Sequence, residues 1–125
     1  MPGKPYAQQA ISAIRSGVFS LQYDAQAIRA QAQAETAKMQ SQMQAAQQRQ
    51  QQAADKLNQS ESDYDRDQAR KELQDAQKEL QDLQASADKV VREGEARASQ
   101  AEAAAGSLES VAQQVESIMA SGNFE

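Results

Sequence analysis

From residue 11 onward the apolar positions of this chain fall alternately three and four apart: Ile11, Ile14, Val18, Leu21, Ala25, Ile28 and Ala32. That spacing gathers them on one face of an α-helix and is the pattern of a heptad seam. Carried forward, the same register meets Glu35, Met39, Gln42, Ala46, Arg49 and Ala53, so the seam thins into polar residues. Alanine and methionine keep helical spacing inside the glutamine-rich tract from Gln40 to Gln52, which favours helix there, provided that a neighbour supports it. A longer seam follows without a skip through Leu73, Ala76, Leu80, Leu83, Ala87, Val90, Gly94, Arg97, Ala101, Ala104, Leu108, Val111, Val115 and Ile118. Opposite charges at i,i+4 spacing flank it, including Asp67 with Lys71, Lys78 with Asp82, and Lys89 with Glu93.

Between the seams, Asn58, Ser60, Ser62, Asp63 and Asp65 interrupt the pattern with side chains that favour turns and caps. Ser60, Ser62 or Asp63 is the expected cap of the following helix, with acidic residues beside its positive end. Pro2, Gly3 and Pro5 predict an extended arm over 1–6. The expected elements are then helix 1 over 7–57, a turn over 58–65, and helix 2 over 66–120, with Gly94 and Gly106 as places for a kink. A tail covers 121–125.

This is an all-α fold class, a long antiparallel helical hairpin or coiled coil. Folding the chain about its turn brings Ile11 to Val111, Ile14 to Leu108, Val18 to Ala104, Leu21 to Ala101, Ile28 to Gly94 and Met39 to Leu83, with Gly17 near Gly106. Large residues meet small ones through much of this register, although Ala25 against Arg97 and Glu35 against Ala87 are weak layers. Two helices leave little interior, and Val91, Ala98, Ala105, Ala112 and Met119 widen the apolar stripe of helix 2 beyond what one neighbour covers. Self-association into a helical bundle or larger oligomer, or capture of a helical partner, is therefore expected where the chain ends meet. The residues expected to carry packing and assembly are Ile11, Ile14, Val18, Leu21, Ile28, Leu73, Leu80, Leu83, Val90, Leu108, Val111, Val115 and Ile118.

Composition narrows the chemistry. Cysteine and histidine are absent, which removes thiol nucleophiles, disulfides, the common zinc sites and histidine acid–base catalysis. No catalytic, cofactor-binding or metal-binding residues are expected, and the chain is read as non-enzymatic. A formal charge of −5 argues against nucleic acid as a partner. The run from Glu61 to Asp67 places carboxylates at alternate positions like the start of a calcium loop, but Gln68 and Gln74 stand where such a loop needs glycine and a bidentate acid. Residues 11–28 have only two basic groups at their polar border, Arg15 and Arg29, too few for a typical membrane-surface helix, and no stretch approaches a transmembrane span. The opening residues lack an uninterrupted secretory signal core, leaving a cytoplasmic, virion-associated or non-classically exported location.

In composition the chain resembles coiled-coil segments of phage virion proteins, secretion-filament subunits and stress-response helical proteins, a resemblance that transfers no functional residue. The expected role is structural: an assembly protein of a bacterial or phage complex acting through helix–helix packing. The alternatives are a secretion-apparatus substrate, filament subunit or chaperone of hairpin type, and a helical adaptor.

Overall fold

The structure is a computed structural model that describes residues Gly3–Gly122. Two helices, α1 (Gly3–Gln59) and α2 (Asp63–Ala120), pack against each other as a helical hairpin, and the described residues contain no strand. α1 begins at Gly3 and not after an arm ending at residue 6. Pro5 does not delay it, because an N–H in the first helical turn has no intrahelical acceptor and its loss costs nothing there. Met1 and Pro2 of the expected arm lie outside the described residues. The glutamine-rich tract is helical throughout.

The turn is shorter than expected and consists of Ser60, Glu61 and Ser62. The Ser60 backbone N–H and hydroxyl both donate to the Lys56 carbonyl, at 2.9 and 2.5 Å, closing the last turn of α1. Ser62 caps α2: its hydroxyl accepts from the Asp65 N–H at 3.2 Å and its carbonyl from the Arg66 N–H at 3.0 Å. Asp63 and Asp65 occupy the first turn, where the helix dipole favours negative charge. The Arg66 side chain then donates to the Ser60 carbonyl at 2.8 Å, tying the second helix back to the end of the first. At its other end α2 stops at Ala120, and in the turn that follows Gly122 has a φ of 81°, the left-handed conformation that glycine adopts without strain. Residues 123–125 of the expected tail lie outside the described residues. α2 runs unbroken through Gly94 and Gly106.

The chain divides into two compact units. One comprises Met1–Ala30 with Gly94–Glu125, and the other Gln31–Glu93. In the second unit α1 turns Thr36, Met39, Met43, Ala46, Gln50, Ala53 and Leu57 inward, while α2 turns Ala69, Leu73, Ala76, Leu80, Leu83, Ala87 and Val90 inward. Thr36 satisfies its hydroxyl locally by donating to the Ala32 carbonyl, so a polar residue occupies the seam with its hydrogen bond made. Glu35, Gln42 and Arg49, which the sequence register put in the seam, are exposed.

In the first unit the inward positions are Ala7, Ile11, Ile14, Val18, Leu21, Ala25 and Ile28 on α1, with Gly94, Ala98, Ala101, Ala105, Leu108, Ala112, Val115 and Met119 on α2. The unskipped register expected for helix 2 therefore fails after Gly94. The stripe steps by four twice, Val90 to Gly94 to Ala98, and α1 does the same from Ile28 to Ala32 to Thr36. An extra four-residue step corrects the angular drift that a strict seven-residue repeat builds up on a helix of 3.6 residues per turn. Its effect is to replace Arg97, Ala104, Val111 and Ile118 in the seam by Ala98, Ala105, Ala112 and Met119.

The register across the first unit shifts as well. A Cβ built on Gly17 would lie 3.3 Å from Leu108 Cδ1, whereas one on Gly106 meets nothing within 4 Å, so Gly17 sits against Leu108 and not beside Gly106. That places α2 about one helical turn from the expected pairing. Among the described residues the buried side chains are alanines, joined by Ile11 and Val18, and no buried polar side-chain atom lacks a partner.

Candidate functional site

Ion pairs line one flank of the first unit. Glu95, Glu102, Glu109 and Glu116 recur every seven residues on α2, and Arg15, Gln22 and Arg29 recur every seven on α1. Arg15 bridges Glu109, at 3.3 Å, and Glu116. Arg29 bridges Glu95 at 2.9 Å and Glu102 at 2.5 Å. Hydrogen bonds from Glu116 first, then Glu109, raise the pKa of Arg15, and those from Glu95 and Glu102 raise that of Arg29. The reciprocal effect holds the Glu95 carboxyl below its ordinary value, chiefly through the hydrogen bond from Arg29. These groups sit in water, so each pair contributes little alone and weakens with salt.

Gln22 stands between the two clusters and leaves a shallow groove of about 530 Å³, lined by Arg15, Val18, Phe19, Glu102, Gly106 and Glu109 among others. Phe19 walls it with a ring 69 % exposed. Both acids already have arginine partners, and no group of three or more acidic residues among the described ones is placed to hold a metal ion. In the second unit Arg49 pairs with Glu79 at 2.5 Å and Lys56 with Glu72 at 3.5 Å. Those contacts fasten helices and assemble no reactive group.

The opposite flank of the first unit has a different character. Arg15 and Gly17 lie about 200° apart around α1, so the contact of Gly17 with Leu108 and that of Arg15 with Glu109 fall on opposite sides of the seam. On the Gly17 side α1 presents Tyr6, Ala10 and Ala13, and α2 presents Ala104, Val111 and Ile118. Val111 is 44 % exposed and Ile118 43 %. No charged residue interrupts either row until Asp24 on α1 and Arg97 on α2.

Of the residues expected to pack, Ile11 and Val18 are buried, and Ile14, Leu21, Ile28, Leu73, Leu80, Leu83, Val90, Leu108 and Val115 are half-buried in the seam. Val111 and Ile118 are not in it; they form the uncovered row. The seam positions Ala98, Ala105, Ala112 and Met119 were legible only as flanking residues. The glutamate row was the missed signal, since acids every seven residues mark the edge of a seam whose inner column lies three positions further on.

No family model matches the chain, and neither a curated protein nor a solved structure matches it. No described helix is long and apolar enough to cross a membrane.

Proposed function

We propose that this protein is a non-enzymatic structural or assembly component that works through helix–helix packing, using the uncharged flank of its first unit as the docking surface. The observation that carries this reading is the row Ala104, Val111 and Ile118 beside Tyr6, Ala10 and Ala13: two large aliphatic side chains are left nearly half exposed on a flank with no charged residue. Exposed apolar surface at heptad spacing gains free energy when another helix covers it. The charged flank supports the same reading, because its carboxylates are engaged in fastening α2 to α1 and offer no acid–base pair in a dry pocket.

The test is Val111→Lys combined with Ile118→Lys. Neither side chain is in the intramolecular seam, so circular dichroism should show unchanged helicity while light scattering shows loss of self-association or of partner binding. An assembly state and partner set identical to those of the parent chain would refute the reading.

A further inference from the structure

The charged flank of the first unit repeats one geometry and leaves a single repeat unfilled. Arg15 bridges Glu109 and Glu116, and Arg29 bridges Glu95 and Glu102. The helices run antiparallel, so a step of seven forward on α1 and seven back on α2 preserves that relation. Gln22 therefore stands to Glu102 and Glu109 as Arg15 stands to Glu109 and Glu116, and these three residues line one groove. Each of the two acids gives only its Oε1 to an arginine. Among the described residues the Oε2 atoms of Glu102 and Glu109 have no ion-pair partner.

We infer that this groove receives one arginine side chain of a partner polypeptide, whose guanidinium lies between Glu102 and Glu109 where α1 supplies only the neutral Gln22. The chain itself shows what such carboxylate pairs hold, since the neighbouring pairs on either side each carry a guanidinium. Four carboxylates face two arginines along the row, so an entering cation is attracted. A planar fork of donors reaches two acids at once, as Arg29 does with Glu95 and Glu102, which a lysine ammonium does less well. The groove, about 530 Å³, has room for more than the head group, and its lining includes the buried Val18 and Ala105, an apolar surface for the arginine stem. Phe19 walls it with a ring 69 % exposed, available for stacking on the guanidinium. Gly106 keeps the mouth open, since even a Cβ there would meet nothing within 4 Å. The site lies across the seam from Val111 and Ile118, so it stands or falls separately from the docking surface proposed above.

The test titrates the full chain with N-acetyl-arginine methylamide while nuclear magnetic resonance follows the Gly106 amide and the Phe19 ring. The lysine and citrulline counterparts serve as the charged and the neutral comparison. Saturable shifts at both residues are expected with the arginine compound, weaker ones with lysine and none with citrulline, and added salt should reduce the affinity. Phe19→Ala should weaken binding about threefold. Gln22→Arg supplies the guanidinium from within the chain, so it should abolish the response while melting no lower than the parent, whereas Gln22→Ala should still bind. Absence of a saturable shift in the parent chain overturns the inference. So does an equal response to arginine and citrulline, or a Gln22→Arg chain that binds as the parent does.

Discussion

At the scale of single residues, the two glycines inside the first unit have opposite surroundings. Gly17 faces Leu108 closely enough that an added methyl would sit 3.3 Å from its Cδ1, while Gly106 opens onto space. Glycine costs a helix interior about 1 kcal/mol relative to alanine. Gly106→Ala should therefore stabilise the protein by about that amount in denaturant titration at fixed protein concentration. Gly17→Ala should gain less, because the Leu108 side chain has to give way. Equal gains at both positions would show that Leu108 moves freely. The same contrast limits what a sequence reveals: both glycines break an apolar pattern, and nothing local says which one touches a neighbour. Pro5 teaches a similar lesson, since its cost depends on whether its nitrogen lies in the first turn or deeper.

At the scale of elements, helix type and most of the seam are readable because aliphatic side chains repeat at helical spacing from Ile11 to Ile28 and from Leu73 to Val90, while the cap is narrowed only to Ser60, Ser62 or Asp63, of which Ser62 serves. Beyond Gly94 two adjacent columns are both apolar, one through Ala104 and Val111 and the other through Ala105 and Ala112, so periodicity alone does not choose between them. Charge pairing chooses. Arg15 and Arg29 reach the glutamate row only if the alanine column faces inward, and the column through Val111 and Ile118 is then left exposed. This clamp also sets a pH response. The Glu95 carboxyl is held below its ordinary value, so its stabilising effect is full above the ordinary glutamate range and is lost as pH falls through the lowered value. Acidification from neutral to below that range should lower the melting temperature, and Glu95→Gln should reduce the acid-induced part of that loss. An identical acid profile for parent and variant would remove Glu95 from the account.

At the scale of the whole molecule, the hairpin is held by an interior made mostly of alanine, each burying little area. The glutamine-rich tract shows the consequence. Its inward positions, Met43, Ala46 and Gln50, supply little apolar surface, and its helix depends on α2 lying alongside. Amide exchange across Gln40–Gln52 in the intact protein should be markedly slower than in an unfolded chain; exchange at unprotected rates throughout the tract would contradict a packed helix there. The row of glutamates has a consequence at this scale too. It holds more carboxylates than the two arginines opposite can neutralise, so two molecules drifting together by these sides repel each other, and the repulsion reaches only about a Debye length. The same acids that lock α2 onto α1 thus leave that side with an uncompensated negative field, and dissolved salt sets how far from the surface it is felt.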